Sequence, residues 1–151
     1  MQISARSDYA VRAMLVLAAR EPDTTSTETL AAAQDLPRKF LEAILSDLRR
    51  HGLVRSLRGA EGGYRLARGA SDIRIGDILR AVDGPLAAVR GVRPEDVAYD
   101  GPAEHLREVW VAARASLRAV LDRVTLADVV AGDLPAHLLT LVEPPEAWSR
   151  R

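Results

Sequence analysis

The 151-residue chain is 48% hydrophobic and 28% charged, a balance typical of one folded domain, or of one small domain with an appendage, and not of a disordered protein. It contains no cysteine, which excludes disulfide bonds and any zinc or iron–sulphur site with cysteine ligands. Its formal net charge is zero, but residues 1–68 contain 11 basic and 8 acidic residues whereas residues 69–151 contain 10 and 13, so the first half suits a polyanion better.

Two helices are predicted at the amino end. The first runs from Ser4 to Arg20, because apolar residues recur there every three or four positions and Ser4 or Ser7 can cap its start. The second begins at Thr25, which has the spacing of a capping box with Glu28. In such a box each side chain accepts a hydrogen bond from the backbone N–H of the other residue.

A turn at residues 35–37 and a third helix from Pro37 to Arg50 complete a predicted helix-turn-helix motif. Gly52 can take the left-handed conformation that ends such a helix. In this motif the first residues of the second helix reach the edges of DNA bases. The apolar face of the third helix, which we expect to be buried, consists of Phe40, Leu41, Ile44, Leu45 and Leu48.

A β-hairpin is predicted directly after this helix. Its strands are residues 53–57 and 64–68, and the glycine-rich tip between them allows a tight, thin turn. Residues 36–68 contain eight basic and three acidic residues, a net charge of +5. An ordinary exposed hairpin would also account for the glycines, but a basic helix followed by a basic hairpin favours a winged helix that meets DNA phosphates.

The second half of the chain is predicted to be helical around a loop. A fourth helix covers residues 73–82, and residues 86–103 have no clear period and form a connecting loop. The longest helix runs over residues 104–123, and shorter helices follow at 126–130 and 136–142.

The longest helix carries an apolar stripe typical of a helix pair, with spacings of 4, 3, 4, 3 and 4 residues. The stripe could pack only on its own domain. Its length and its separation from the first core by a loop favour pairing with a second copy of the chain. The predicted dimer interface is Leu106, Trp110, Ala113, Leu117, Val120 and Val124.

The predicted fold class is therefore mainly α with a small β-hairpin. It comprises a winged helix-turn-helix domain followed by a long C-terminal dimerisation helix. The predicted units are the winged DNA-binding domain at residues 1–85, the connecting loop at 86–103, the dimerisation helix with the following short helix at 104–132, and a C-terminal tail at 133–151.

Side chains able to contact DNA cluster in the third helix and the hairpin. Arg38 and Lys39, the only lysine of the chain, lie in the first helical turn and can donate to guanine or to phosphate. Glu42 can accept from cytosine or, alternatively, pair with Arg38 within the helix. Arg58 at the hairpin tip suits a narrow minor groove. The full predicted set is Arg6, Arg38, Lys39, Glu42, Arg49, Arg50, Arg58 and Arg65.

Several motifs resemble those of the Rrf2 family of winged-helix repressors, the family of IscR, NsrR and CymR. The most specific is R-G-x-x-G-G-Y at residues 58–64, which follows L-R-x-x-G-L-V at residues 48–54. D-Y-A-V-R-A-M at residues 8–14 and T-L-A-D at residues 125–128 are similar as well. The resemblance covers residues 1–132. It implies a homodimer that pairs through the long helix, binds a double-stranded operator of dyad symmetry and usually represses transcription.

Some members of this family hold an iron–sulphur cluster on three cysteines in the loop that corresponds to residues 89–104. A further ligand in some members is a histidine three residues before the tryptophan of the long helix. This chain has no cysteine and has Arg107 at the histidine position, while His105 is out of register. The resemblance therefore implies no cluster, and leaves a small molecule, a partner protein or no effector at all as the source of a signal.

We expect a sequence-specific DNA-binding transcriptional regulator. The alternative is a winged-helix module that binds an acidic protein partner instead of DNA. No metal site is predicted, because His51, His105 and His137 lack the spacing of a ligand pair, and no arrangement of catalytic residues indicates an enzyme. The amino end lacks the layout of a signal peptide and no apolar run approaches the ~18 residues of a membrane span, so we expect a cytoplasmic protein. A small effector is expected around residues 86–110.

Overall fold

The computed structural model of the chain describes residues 2–149, which form seven α-helices and one two-stranded antiparallel sheet. The architecture is the predicted one, mainly helical with a helix-turn-helix followed by a β-hairpin. In chain order the elements are α1 (Ala5–Ala19), α2 (Thr27–Gln34), α3 (Arg38–Arg50), β1 (Val54–Leu57), β2 (Gly63–Leu66), α4 (Ile75–Asp83), α5 (Leu106–Leu121), α6 (Leu126–Ala131) and α7 (Ala136–Val142), with 3-10 turns at Ala70–Asp72, Pro94–Asp96, Gly101–Ala103 and Pro145–Trp148.

The helix α1 lies at the centre of the hydrophobic core, where it contacts α2, α3, α4 and α6. Its most buried apolar side chains, at most 1% exposed, are Ala10, Ala13, Met14 and Leu17. The two alanines allow neighbouring helices to approach the α1 backbone closely. From α3 the core receives four side chains that are also at most 1% exposed, Leu41, Ile44, Leu45 and Leu48. Burying one such aliphatic side chain contributes roughly 1.5–3 kcal/mol, so this packing fixes α3 on α1.

The helix caps agree with the prediction at α1 and differ from it at α2. Ser4 caps α1 by accepting a hydrogen bond of 2.9 Å from the backbone N–H of Ser7. The predicted capping box of Thr25 and Glu28 is wrong. Ser26 is the N-cap of α2, and its hydroxyl accepts a hydrogen bond of 3.1 Å from the backbone N–H three residues on. Thr25 is not the N-cap, because its backbone N–H and carbonyl are both hydrogen-bonded to Tyr64 of the hairpin.

Backbone hydrogen bonds attach the hairpin to the helix-turn-helix. The strands pair in a register that places Val54 opposite Leu66, and both side chains are buried. Thr25, which precedes α2, exchanges two backbone hydrogen bonds of 2.8 Å with Tyr64 in β2. A Cβ atom at Gly63 would lie 2.3 Å from the Thr25 carbonyl oxygen. Only glycine permits this approach, which accounts for the glycine before the tyrosine in the wing motif.

Phe40 does not belong to the buried face of α3, contrary to the prediction. It is 62% exposed. Successive residues of an α-helix are rotated by about 100°, and the four buried aliphatic residues of α3 together occupy one arc of the helix. Phe40 lies outside that arc, so its ring is on the surface of the first turn.

The helix α5 has no buried residue, and the chain returns to the core directly after it. Leu126 in α6 is fully buried, and α6 packs against α1. Two backbone hydrogen bonds hold this return beside α4: Ile75 N–H donates to the Val124 carbonyl at 2.9 Å, and Leu126 N–H donates to the Ile73 carbonyl at 3.0 Å. Within the predicted unit 104–132, only α5 therefore lies outside the core.

The C-terminal segment agrees with the helix predicted at residues 136–142. The predicted tail beyond it contains a 3-10 turn, in which Trp148 Nε1 donates to the Val142 carbonyl at 2.7 Å. Residues 150 and 151, the last of that tail, lie outside the described residues. Among residues 2–149, no helix combines the length and the apolar character that crossing a membrane requires.

Gly63→Ala tests the attachment of the hairpin. The added methyl group would collide with the Thr25 carbonyl, so we expect the free energy of unfolding to fall by about 1–3 kcal/mol in urea denaturation. Gly69→Ala is the matched control, because its φ is −57° and its new Cβ atom would meet its nearest neighbour, Asp72 Oδ2, at 3.5 Å. Equal stability of the two variants would show that the hairpin is not held at this point.

Candidate nucleic-acid interface

The first turn of α3 faces solvent. Pro37 precedes the helix with a φ of −64° and supplies no side-chain cap. The first backbone N–H groups of α3 therefore have no capping side chain, and the positive end of the helix dipole faces outwards. Arg38, Lys39 and Phe40 are all exposed in this turn. In a helix-turn-helix, this end of the second helix reaches the bases.

Arg38 is held between two carboxylates. Its Nη2 lies 2.8 Å from Glu28 Oε1 in α2, and its Nε donates to Glu42 Oε1 at 3.1 Å. The second contact is the intrahelical pair that the sequence left open as an alternative for Glu42. All three side chains are more than half exposed, and exposed pairs contribute only about 0–1 kcal/mol. Both contacts can therefore be exchanged for contacts to DNA at little cost.

Lys39 on α3 and Arg58 at the hairpin tip are exposed cations. Neither forms an ion pair within the part of the chain that the structure describes, in contrast to Arg38. Their charges are therefore available to phosphate oxygens. Glu61 is exposed at the same tip, and its charge disfavours deep insertion of the tip between phosphates.

Three other predicted cations are engaged by the protein itself. Arg6 in α1 and Arg50 at the end of α3 both form ion pairs with Asp47, whose side chain is 16% exposed. Arg49 Nη1 donates to the Ser56 hydroxyl of β1 at 3.4 Å. Arg6 thus connects α1 to α3, and Arg49 connects α3 to the hairpin. These contacts fix α3 relative to its two neighbours.

Arg65, a predicted contact residue, lies directly opposite Arg55 in the hairpin. Both arginines are exposed. Like charges in opposite positions of an antiparallel pair destabilise it, so an anion near them would stabilise the hairpin. Arg55 was not in the predicted set. The predicted hairpin could have identified Arg55, because Arg55 and Arg65 both lie within the predicted strands 53–57 and 64–68.

Phe40 is a second residue that the sequence-based assignment missed. Its exposed ring follows Lys39 in the first turn of α3. An apolar side chain at such a place can contact the methyl group of thymine in the major groove. A count of helical angles could have separated Phe40 from the four residues that form the buried arc.

Comparisons with known proteins agree with this geometry. Residues 3–132 match the family described as Rrf2, iron-dependent transcriptional regulator. The chain is 51% identical over 144 residues to Rv1287 of Mycobacterium tuberculosis, whose name describes an HTH-type transcriptional regulator; the match covers 95% of this chain and 89% of that protein.

Solved structures of similar sequence share the fold. CymR (YrzC), the global cysteine regulator of B. subtilis, matches with a TM-score of 0.74 and 34% identity, over 87% of this chain and 98% of that one. IscR of T. potens matches with a TM-score of 0.70 and 32% identity, over 93% of this chain and 96% of that one. The winged helix-turn-helix fold is confirmed. The predicted function as a DNA-binding transcriptional regulator is confirmed as well, in preference to an enzyme or a protein-interaction module.

The residues of this chain do not fit an iron–sulphur cluster with cysteine ligands. There is no cysteine in the sequence. Arg107, at the position of a histidine ligand in some relatives, forms an ion pair of 3.4 Å with Glu108. Within residues 2–149, no three His, Asp or Glu side chains are grouped so that they could hold a metal ion.

Phe40→Ala tests the exposed position of this ring. Because the ring is outside the core, we expect the free energy of unfolding to change by no more than about 0.5 kcal/mol. The free energy of DNA binding should become less favourable by about 1 kcal/mol, because the ring loses its contact with a thymine methyl group and burying one such carbon contributes about 0.8 kcal/mol. Leu139→Ala, at another exposed apolar residue, is the control and should change neither quantity. Large destabilisation, or unchanged DNA affinity, would contradict the assignment; urea denaturation and fluorescence anisotropy measure the two effects.

Proposed function

The chain belongs to the Rrf2 family of DNA-binding transcriptional regulators, and we propose that it acts as a homodimer that binds an operator of dyad symmetry and represses transcription. The observation that carries this proposal is α5, whose apolar side the rest of the described chain leaves only half-buried. Two-fold pairing through α5 presents two copies of α3, and a dyad-symmetric site matches that symmetry with half-sites about one helical turn of DNA apart. We expect this function in the cytoplasm.

The apolar side of α5 is open to solvent. Val109 is 55% exposed and Trp110 is 37% exposed. Contiguous apolar surface of this kind marks an interaction site in most soluble proteins. The other apolar residues on this side, all only half-buried, are Leu106, Ala113, Leu117 and Val120.

An apolar groove of about 590 Å³ runs beside this side of α5. The segment before α1, the middle of α4 and one residue of α7 contribute to its other walls, through Ile3, Leu79 and Leu141 respectively. Apolar side chains of a second copy would fill the groove and exclude water from it. Val124, the last residue of the predicted interface, is only 5% exposed and lies beyond the end of α5. We therefore place the interface on the five predicted residues within the helix.

On DNA, we assign the main electrostatic contacts to Lys39 in the major groove and Arg58 in the minor groove, since neither side chain forms an ion pair within residues 2–149. Arg38 and Glu42 are placed to act at base edges once DNA replaces their mutual contact. The remaining predicted residues, which we assign to phosphate contacts or to the positioning of α3, are Arg6, Arg49, Arg50 and Arg65.

A fluorescence-anisotropy titration with DNA from upstream of the gene for this protein tests operator binding. The titration is repeated with an excess of unrelated DNA. Binding that survives the competitor supports specific readout, in which a wrong base pair costs about 1–3 kcal/mol. Binding that disappears contradicts the operator proposal.

Variants in the same titration test the residue roles. Lys39→Ala and Arg58→Ala should each lower operator affinity and reduce the slope of log affinity against log salt by about one. Arg38→Ala is the matched variant in the same helical turn. It should change the slope less, because Glu28 and Glu42 already offset its charge. Equal slopes for the three variants would contradict the different roles that we assign to Arg38 on the one hand and to Lys39 and Arg58 on the other.

Leu117→Asp tests the dimer. A carboxylate buried in an apolar interface loses its hydration without gaining a partner. We therefore expect the dimer dissociation constant, measured by sedimentation equilibrium, to rise at least about thirtyfold. Ala115→Asp adds the same group to an exposed position on the opposite side of α5 and should stay dimeric. Operator affinity should fall only in the first variant. A monomeric wild-type protein, or a dimeric Leu117→Asp, would refute the interface.

A further inference from the structure

A cleft outside α3 and the hairpin has no part in the proposed DNA contacts. It lies between α4, the segment that follows α4, and the second half of α5, and its volume is about 570 Å³. Pockets for small molecules are of this size. The side chains that give it its chemistry are five arginines, Arg74, Arg80, Arg93, Arg114 and Arg118. We call it the arginine cleft.

Three of these arginines are balanced by carboxylates in the cleft. Arg80 Nη2 lies 2.6 and 2.7 Å from the two oxygens of Asp122, and Arg118 Nε donates to the same carboxylate at 3.2 Å. Arg114 forms an ion pair with Glu95. The hydrogen bond from Arg114 lowers the pKa of the Glu95 carboxyl, so this carboxylate remains charged at neutral pH.

The other two arginines have no such partner. Arg74 lies directly before α4, and Arg93 lies in the loop after α4, directly before the 3-10 turn Pro94–Asp96. Both side chains line the cleft and are exposed. Neither forms an ion pair within residues 2–149, whereas Asp77, the remaining carboxylate of the cleft, lies 3.7 Å from Arg80. Five guanidinium groups thus face three carboxylates, which leaves an excess of two positive charges in one concave site.

We propose that the arginine cleft binds a small dianion, a metabolite that carries a phosphoryl group or two carboxylates. Guanidinium groups bind phosphate and carboxylate through two parallel hydrogen bonds. Arg74 and Arg93 are the primary donors, because neither guanidinium group forms an ion pair with a carboxylate in the described part of the chain. Arg118 and Arg80 can share the ligand by giving up part of their contact with Asp122.

The location of the cleft connects such a ligand to DNA binding. Asp122 follows directly after α5, and Arg80 is in α4, which packs on α1 and α3. The two elements meet closely here, since a Cβ atom at Gly76 would lie 2.1 Å from Asp122 Oδ1. A dianion that competes with Asp122 for Arg80 would alter how α5 sits on α4. This regulatory effect rests on the proposed operator binding by an α5-paired dimer.

Isothermal titration calorimetry on the full chain tests the site, with pyrophosphate and malonate as probes at constant ionic strength. We expect one or both probes to bind at millimolar concentration or below, whereas sodium chloride has no effect. The double variant Arg74→Gln/Arg93→Gln should bind at least about tenfold more weakly. Arg107→Gln, which removes a cation from α5 outside the cleft, is the control and should bind like the wild type. Thermal unfolding verifies that each variant is folded.

Each outcome decides a separate point. Binding of pyrophosphate alone assigns a phosphorylated ligand, and binding of malonate alone assigns a dicarboxylate. No binding of either probe, or equal binding by the double variant, overturns the site. Operator affinity is then measured with and without the bound probe. A protein that binds the probe but no DNA refutes the proposed function and not the site; an operator affinity that the probe leaves unchanged refutes the regulatory effect.

Discussion

The structure depends on the burial of one narrow arc of α3 against α1. Four aliphatic side chains of α3 and four small or aliphatic side chains of α1 are almost completely removed from water. The buried face of an α-helix fixes the orientation of the helix about its own axis. The buried arc of α3 therefore determines which of its residues face solvent. Lys39 and Phe40 are exposed for this reason, and not because the residues themselves are polar or apolar.

The hairpin depends on a different constraint, the close approach of two backbones. Thr25 and Tyr64 exchange both of their backbone hydrogen bonds, and Gly63 leaves the space for them. The hairpin is therefore attached to the segment that begins α2, and a single rigid unit carries both α3 and the arginines of the hairpin. Rigid placement of this kind reduces the entropy that would otherwise be lost when both elements contact DNA.

The two sides of α5 have different chemistry. One side is apolar and lies open along a groove; we assign it to a second copy of the chain. The other side contributes Arg114 and Arg118 to a charged cleft that reaches α4. A ligand in that cleft and a partner on the apolar side would act on the same helix. This arrangement offers a route from a small anion to DNA affinity that does not need the cysteines absent from this chain.

The sequence by itself determined the elements and their order, because helix periodicity, caps and turn glycines are local properties. The helix at residues 136–142, a serine cap at Ser4 or Ser7 and the helix end at Gly52 follow from neighbouring residues along the chain. The basic character of α3 and the hairpin also follows from composition alone. Several short motifs, of which the wing motif is the most specific, indicate the family.

Only the tertiary structure decided which side chains are exposed and which are paired with another residue of the protein. Phe40 is exposed because it lies outside the arc of α3 that four buried residues occupy. Ser26 rather than Thr25 caps α2, because the backbone of Thr25 pairs with the hairpin. Arg38 is offset by Glu28 from another helix, and Arg80 meets Asp122, a residue 42 positions away in the chain. Contacts between residues distant in sequence have no local pattern, since they depend on how the packed helices are placed relative to one another.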